Sequence, residues 1–174
     1  MNKDTILSEL EEVREYLLSV VITGIDALKA RIENGESISA DDISSIERVY
    51  PLNIVPALFK GTKPTAIYFG EEKVEVKTWR KTYTLILQRC VANPENHAIL
   101  MGLRNRINGK DRTFLSDKPD RMNVPIKISD GLFAEGYFDT EWLVRVLTTE
   151  LLDAVRYDYS RISVAVVTGR GRRQ

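Results

Sequence analysis

The sequence holds one cysteine, one histidine and no net charge in 174 residues. A lone cysteine, Cys90, cannot close an intramolecular disulfide, and a chain so poor in cysteine carries no mark of an oxidising compartment. One histidine and one cysteine cannot furnish the ligand set of a zinc site, so no metal or cofactor is expected. No apolar run approaches the ~20 residues that a membrane-spanning helix needs; the longest is Leu17 to Ile22, and no membrane partner is expected. No glycine-rich phosphate loop opens a helix, because Gly169-Arg170-Gly171-Arg172 has no helix after it. The start, Met1-Asn2-Lys3-Asp4, leads into a stretch bearing Glu9, Glu11, Glu12 and Glu15. It does not read as a secretory signal, and a cytoplasmic setting is expected.

What is present is charge of both signs, unevenly placed. Residues 1–49 carry net −6, residues 50–75 are balanced, 76–128 carry net +7, 129–160 net −5 and 161–174 net +4. Such asymmetry bears on partners rather than on fold. Either the acidic and basic stretches neutralise each other, or the basic middle meets an outside anion.

Periodicity predicts an α+β chain. Ile6, Leu10, Val13, Leu17, Val21, Ile25, Leu28 and Ile32 recur at spacings of three and four, a helical row from Thr5 to Glu33 that Asn34-Gly35 stops. Its length, with a middle apolar nearly all round, points to self-association through Val13, Leu17, Val21 and Ile25. A second helix is expected from the cap Ser39 to Val49, ending before Pro51. Residues 1–61 thus read as a helical arm, 62–168 as an α+β domain and 169–174 as a flexible basic tail.

Within the domain a small sheet is expected, with two strand-turn-strand-helix units. The first runs Thr65–Phe69, a turn at Gly70-Glu71-Glu72, Lys73–Lys77, then a helix from Thr78 with Trp79, Tyr83, Ile86, Leu87 and Cys90 on one side. The second runs Pro125–Ile128, a turn at Ser129-Asp130-Gly131, Leu132–Phe138, then a helix capped by Asp139 or Thr140. Between them Asn93-Pro94 opens a shorter helix toward Ile107, followed by a polar connector. A final strand, Ile162 to Val167, is β-branched enough for the sheet interior. Trp79 and Trp142 both face apolar rows and read as core residues.

The chemistry-bearing side chains are few. His97 has no serine, cysteine or acid partner supplied by spacing, and Cys90 reads as a buried thiol. Glu75-Val76-Lys77 is the E-x-K half of a Mg²⁺ nuclease core, in which a carboxylate pair holds the metal and a lysine stands near the attacking water. The second carboxylate is missing from Thr65–Phe69, and Glu75 and Lys77 also fit the solvent face of an alternating strand. More telling, the helix after Thr78 begins with Arg80 and Lys81, just beyond Lys77. Cations at a helix N-terminus are unfavourable by a few tenths of a kcal/mol each. They make sense as an anion site, or through an acidic partner such as Asp41, Asp42 or Glu47. Arg104, Arg106, Lys110, Arg112, Lys118 and Arg121 extend the basic stretch and suit a nucleic-acid backbone or a solvated loop. The only aromatic residue interleaved with them is Phe114, which argues against a dedicated single-strand binder.

Several segments also carry a resemblance: KPTAIYFGEEKVEVKTWR (Lys63–Arg80), Arg112-Thr113-Phe114-Leu115-Ser116, the pair Val124–Ile128 and Leu132–Gly136, and Tyr157-Asp158-Tyr159. Over about residues 62–167 the chain resembles a small accessory module of bacterial and phage proteins, found beside restriction-type enzymes and helix-turn-helix proteins. The resemblance brings no catalytic residues and implies a recognition or regulatory role near DNA or a defence system. The expected function is a non-enzymatic module binding nucleic acid or an acidic protein surface. A protein–protein adaptor or inhibitor of a defence complex, and a Mg²⁺ nuclease using Glu75 and Lys77, are the alternatives.

Overall fold

The computed structural model describes residues 14–15, 22, 25–26, 29–35, 46–106 and 113–168. The expected self-association residues Val13, Leu17 and Val21, most of the second arm helix, Asp41 and Asp42, Lys110 and Arg112, and the basic tail lie outside them. Residues 14–15, 22, 25–26 and 29–33 are helical and Asn34-Gly35 forms a turn, with Gly35 at φ +79°. Ile22, Ile25 and Ile32 on this helix are exposed.

The chain is α+β, with two antiparallel sheets where one small sheet was expected. In chain order the strands are β1 (Arg48–Pro51), β2 (Thr62–Phe69), β3 (Glu72–Glu75), β4 (Leu115–Ser116), β5 (Pro125–Ser129), β6 (Leu132–Glu135) and β7 (Ile162–Thr168). The larger sheet runs β1-β7-β2-β3 and the smaller β4-β6-β5. The two hairpins therefore build different sheets. Their turns are alike, with Gly70 at φ +64° and Gly131 at φ +68°, where a side chain would be strained. The last strand, β7, inserts between β1 and β2 with Val164 opposite both Tyr50 and Ile67. Its Val164, Ala165 and Val166 are fully buried, as a central strand requires.

The second arm helix does not extend to Val49. Arg48–Pro51 is the edge strand β1, and Leu52 and Phe59 behind it enter the core. Val49 and Tyr50 favour extended backbone, and an edge position tolerates Pro51, whose missing N–H faces away from the ladder. A 3-10 turn, Pro56–Phe59, then leads into β2.

Helix α1 (Trp79–Val91) touches both sheets and the two helices that follow it in the chain. Its Tyr83, Ile86, Leu87 and Cys90 form the buried side anticipated by their spacing. Helix α2 (Pro94–Leu103) begins on the Asn93 cap with proline at its first position, and ends before the expected Ile107. Helix α3 (Thr140–Arg145), capped by Asp139, widens into a π-helical stretch, Val146–Leu152, that ends in a 3-10 turn at Asp153–Val155. No helix among the described residues is long and apolar enough to cross a membrane.

Three groups are buried with chemical consequences. The Cys90 thiol is wholly enclosed and burial pushes its pKa up to about 11, so it is an inert core group. Glu135, 1 % exposed, accepts the backbone N–H of Asn123 (2.7 Å), Val124 (2.9 Å) and Tyr137 (2.8 Å). The Tyr83 hydroxyl is buried with no hydrogen-bond partner among the described residues, and burial, with the nearby Glu135 carboxylate, raises its pKa far above the usual phenol range. Removing an unsatisfied buried hydroxyl removes its desolvation cost. Tyr83→Phe is therefore expected to leave stability unchanged or raise it by about 1 kcal/mol in urea denaturation. A clear loss would mean that the hydroxyl is bonded after all, through water.

A lysine groove beside the start of helix α1

Pro64 and the residues around it open the main surface groove. Strand β2 is interior, yet proline has no N–H for a ladder. The register with β7 shifts between Pro64 and Ala66, so that Thr65 is the extra residue. Pairing of β2 with β3 reaches only Ala66 opposite Glu75, extended by the Val76 N–H on the Thr65 carbonyl (3.0 Å). Beyond it the chain peels away through Lys77 to the Thr78 cap, whose side chain accepts the Lys81 N–H at 3.1 Å. The gap left between Lys63–Thr65 and the start of α1 is a groove of about 720 Å³, whose lining includes Lys63, Lys77, Lys81 and Glu75.

This groove carries net positive charge, because Lys63, Lys77 and Lys81 outnumber Glu75 in its lining. No acidic residue stands in the first turn of α1. Among the described residues no carboxylate forms an ion pair with Lys63, Lys77, Arg80 or Lys81. Glu47, one of the expected counter-charges, instead accepts a hydrogen bond from the Thr65 hydroxyl at the groove wall. In α3 the usual arrangement holds, with Asp139 accepting the Trp142 N–H (2.9 Å) and Glu141 in the first turn.

The rest of the basic stretch does not gather here. Arg104 is committed to structure: its Nε donates to the Met101 carbonyl and its guanidinium to the Gly131 carbonyl, each at 2.7 Å. Gly131 and Gly136 lie at opposite ends of β6, roughly 17 Å of extended chain apart, and the α1 start is at the Gly136 end. Arg106 stays with Arg104, following Asn105, whose N–H binds the Leu115 carbonyl at 2.8 Å. Lys118 and Arg121 are exposed along the connector. There Asn105, by hydrogen bond, and then their two charges hold the Asp117 carboxyl below its usual range.

Arg80 opens a second recess, of about 320 Å³, that shares Thr78 with the lysine groove and continues to Trp79, Gly136, Phe138 and Leu143. A third, of about 380 Å³, shares Phe138 and is walled by Tyr137, Asp139 and Trp142. The reading of Trp142 as core is corrected: it is 43 % exposed, and Tyr137 beside it 56 %. The apolar row of α3 is carried instead by Leu143 and Val144, with Trp142 turned outward under Arg145, whose guanidinium lies 5.8 Å from the ring centroid. Trp79 does pack against the core, donating its indole N–H to the Thr62 carbonyl (3.0 Å) and meeting Phe59 edge-on at 5.0 Å. Phe114, the aromatic noted beside the basic residues, is buried against Phe138.

Two further expectations concern chemistry. His97 does have a serine partner, since its Nε2 lies 2.8 Å from the Ser129 Oγ across 32 residues. No acidic group among the described residues is hydrogen-bonded to the ring, and the contact ties α2 to the β5–β6 turn. Glu75 stands on the outer side of β3, while Val74 packs toward the core and Val76 is buried. Among the described residues no three His, Cys, Asp or Glu side chains gather as a metal site. No protein-family model, curated protein or solved structure matches the chain.

Proposed function

We propose that the chain is a non-enzymatic recognition module that holds the phosphate backbone of a nucleic acid along the groove of Lys63, Lys77 and Lys81, with Arg80 at its continuation. The observation that carries this reading is the set of lysines beside a helix N-terminus, which outnumber the groove's lining carboxylate Glu75 and form no ion pair among the described residues. Local folding rules disfavour that arrangement and an external polyanion offsets its cost.

Fluorescence anisotropy with a labelled oligonucleotide, at about 50 to 200 mM salt, tests the proposal. If four cations each displace a counterion, log Kd should rise with log salt at a slope of about 3 to 4. Absence of salt-sensitive binding removes the reading. The same mixtures with Mg²⁺ or with chelator address the E-x-K motif. Metal-dependent cleavage that disappears in Glu75→Ala would replace a recognition module with a nuclease.

A further inference from the structure

We propose that the nucleic acid is single-stranded, with a base stacking on Trp142 at the far end of the groove. This rests on the nucleic-acid reading above and names the form of the ligand.

The lysine groove and the Arg80 recess are neighbours that share Thr78, and the Arg80 recess and the aromatic recess share Phe138. A strand lying along them meets cations first and aromatic faces last. Binding without sequence preference to single strands uses this pairing of a positive track with ring faces, because every base has a π-face. A duplex keeps those faces inside its own stack, so it would satisfy the lysines and leave Trp142 unused. An acidic peptide would do the same. The exposed ring of Trp142 is the feature that neither alternative needs, and it is not required for the core: its apolar neighbours Leu143 and Val144 are buried without it. Arg145, above that ring, supplies a further cation where the strand would leave. Two acidic groups at this end have structural partners. Asp139 caps α3, and Glu141 reaches Lys60 and Arg145 at 3.9 Å each.

The test compares an oligothymidylate of about 20 residues, a duplex of equal length and poly-glutamate, against the full chain and its Trp142→Ala and Trp142→Phe variants. Single-strand binding stronger than duplex binding is expected, with roughly a tenfold loss in Trp142→Ala and most of the affinity kept by Trp142→Phe. Circular dichroism and an unchanged melting temperature establish that the variants fold. If Trp142→Ala leaves oligothymidylate binding intact while Lys77→Ala weakens it, the stacking inference is overturned and the nucleic-acid reading stands. Tighter capture of poly-glutamate than of either nucleic acid overturns both.

Discussion

Replacing Glu135 with alanine is expected to cost about 3–5 kcal/mol of folding stability, a large share of the ~5–15 kcal/mol that holds a typical domain together. The carboxylate is 1 % exposed and accepts three backbone N–H groups from Asn123, Val124 and Tyr137. Without it those donors, in part-buried bonds, lose their acceptor, each at a cost of up to about 1–3 kcal/mol that entering water relieves in part. Glutamine should be intermediate. Its carbonyl oxygen can still accept, but its NH₂ turns a donor toward a backbone donor. Urea denaturation of the three proteins measures this directly, and a loss below about 1 kcal/mol for alanine would show that the loop does not depend on Glu135. The consequence reaches the surface, because the Tyr137 N–H is one of the three donors. The residue that anchors the end of β6 also sets the wall of the aromatic recess.

Little in the sequence marks Glu135. It lies in Leu132–Phe138, where alternation predicts a strand, and nothing local says that its carboxylate points inward. The partners are contributed by a connector eleven and twelve residues away. Local signals were read well wherever the physics is local. Asn93 and, of the pair Asp139 or Thr140, Asp139 each accept a backbone N–H as helix caps, and both hairpin turns place glycine at positive φ. Where tertiary partners decide, local sequence is not enough. Val49 and Tyr50 continue a helical expectation until β7, more than a hundred residues later, offers them a ladder. Trp142 sits at a helix start that looks equivalent to that of Trp79. Only Trp79 finds a carbonyl and a phenyl ring to cover it, those of Thr62 and Phe59.

The candidate site divides in the same way. The helix start with Lys77, Arg80 and Lys81 was visible because it breaks a local electrostatic rule. Lys63 was not, since it joins only through the interrupted ladder at Pro64 and Thr65. Arg104 looked like part of the same patch, yet its guanidinium closes the β5–β6 turn instead. The shortage of aromatics among the basic residues held only along the chain. In space, residues some sixty positions downstream supply them, because both hairpin-helix units end at the same recess, with Thr78 and Trp79 on one side and Phe138 and Thr140 on the other.

Reversing two charges in the groove should therefore have the largest effect on binding. Lys77→Glu with Lys81→Glu is expected to weaken oligonucleotide binding on the order of a hundredfold at about 50 mM salt, and to lower the salt slope by about 2. Both side chains are exposed and form no ion pair among the described residues. Two carboxylates beside the first N–H groups of α1 also suit its dipole, worth about 0.3–1 kcal/mol each in favour of the fold. The prediction thus has opposite signs in two measurements: binding collapses while the melting temperature holds or rises. An ordinary solvated surface would give neither change in affinity nor change in slope. If the lysines instead answered the acidic arm, the reversal would lower stability, and the melting temperature would fall. The same pair of experiments on Arg104→Glu should read the other way. Loss of its two bonds to backbone carbonyls lowers stability, with the salt slope of the remaining protein nearly unchanged.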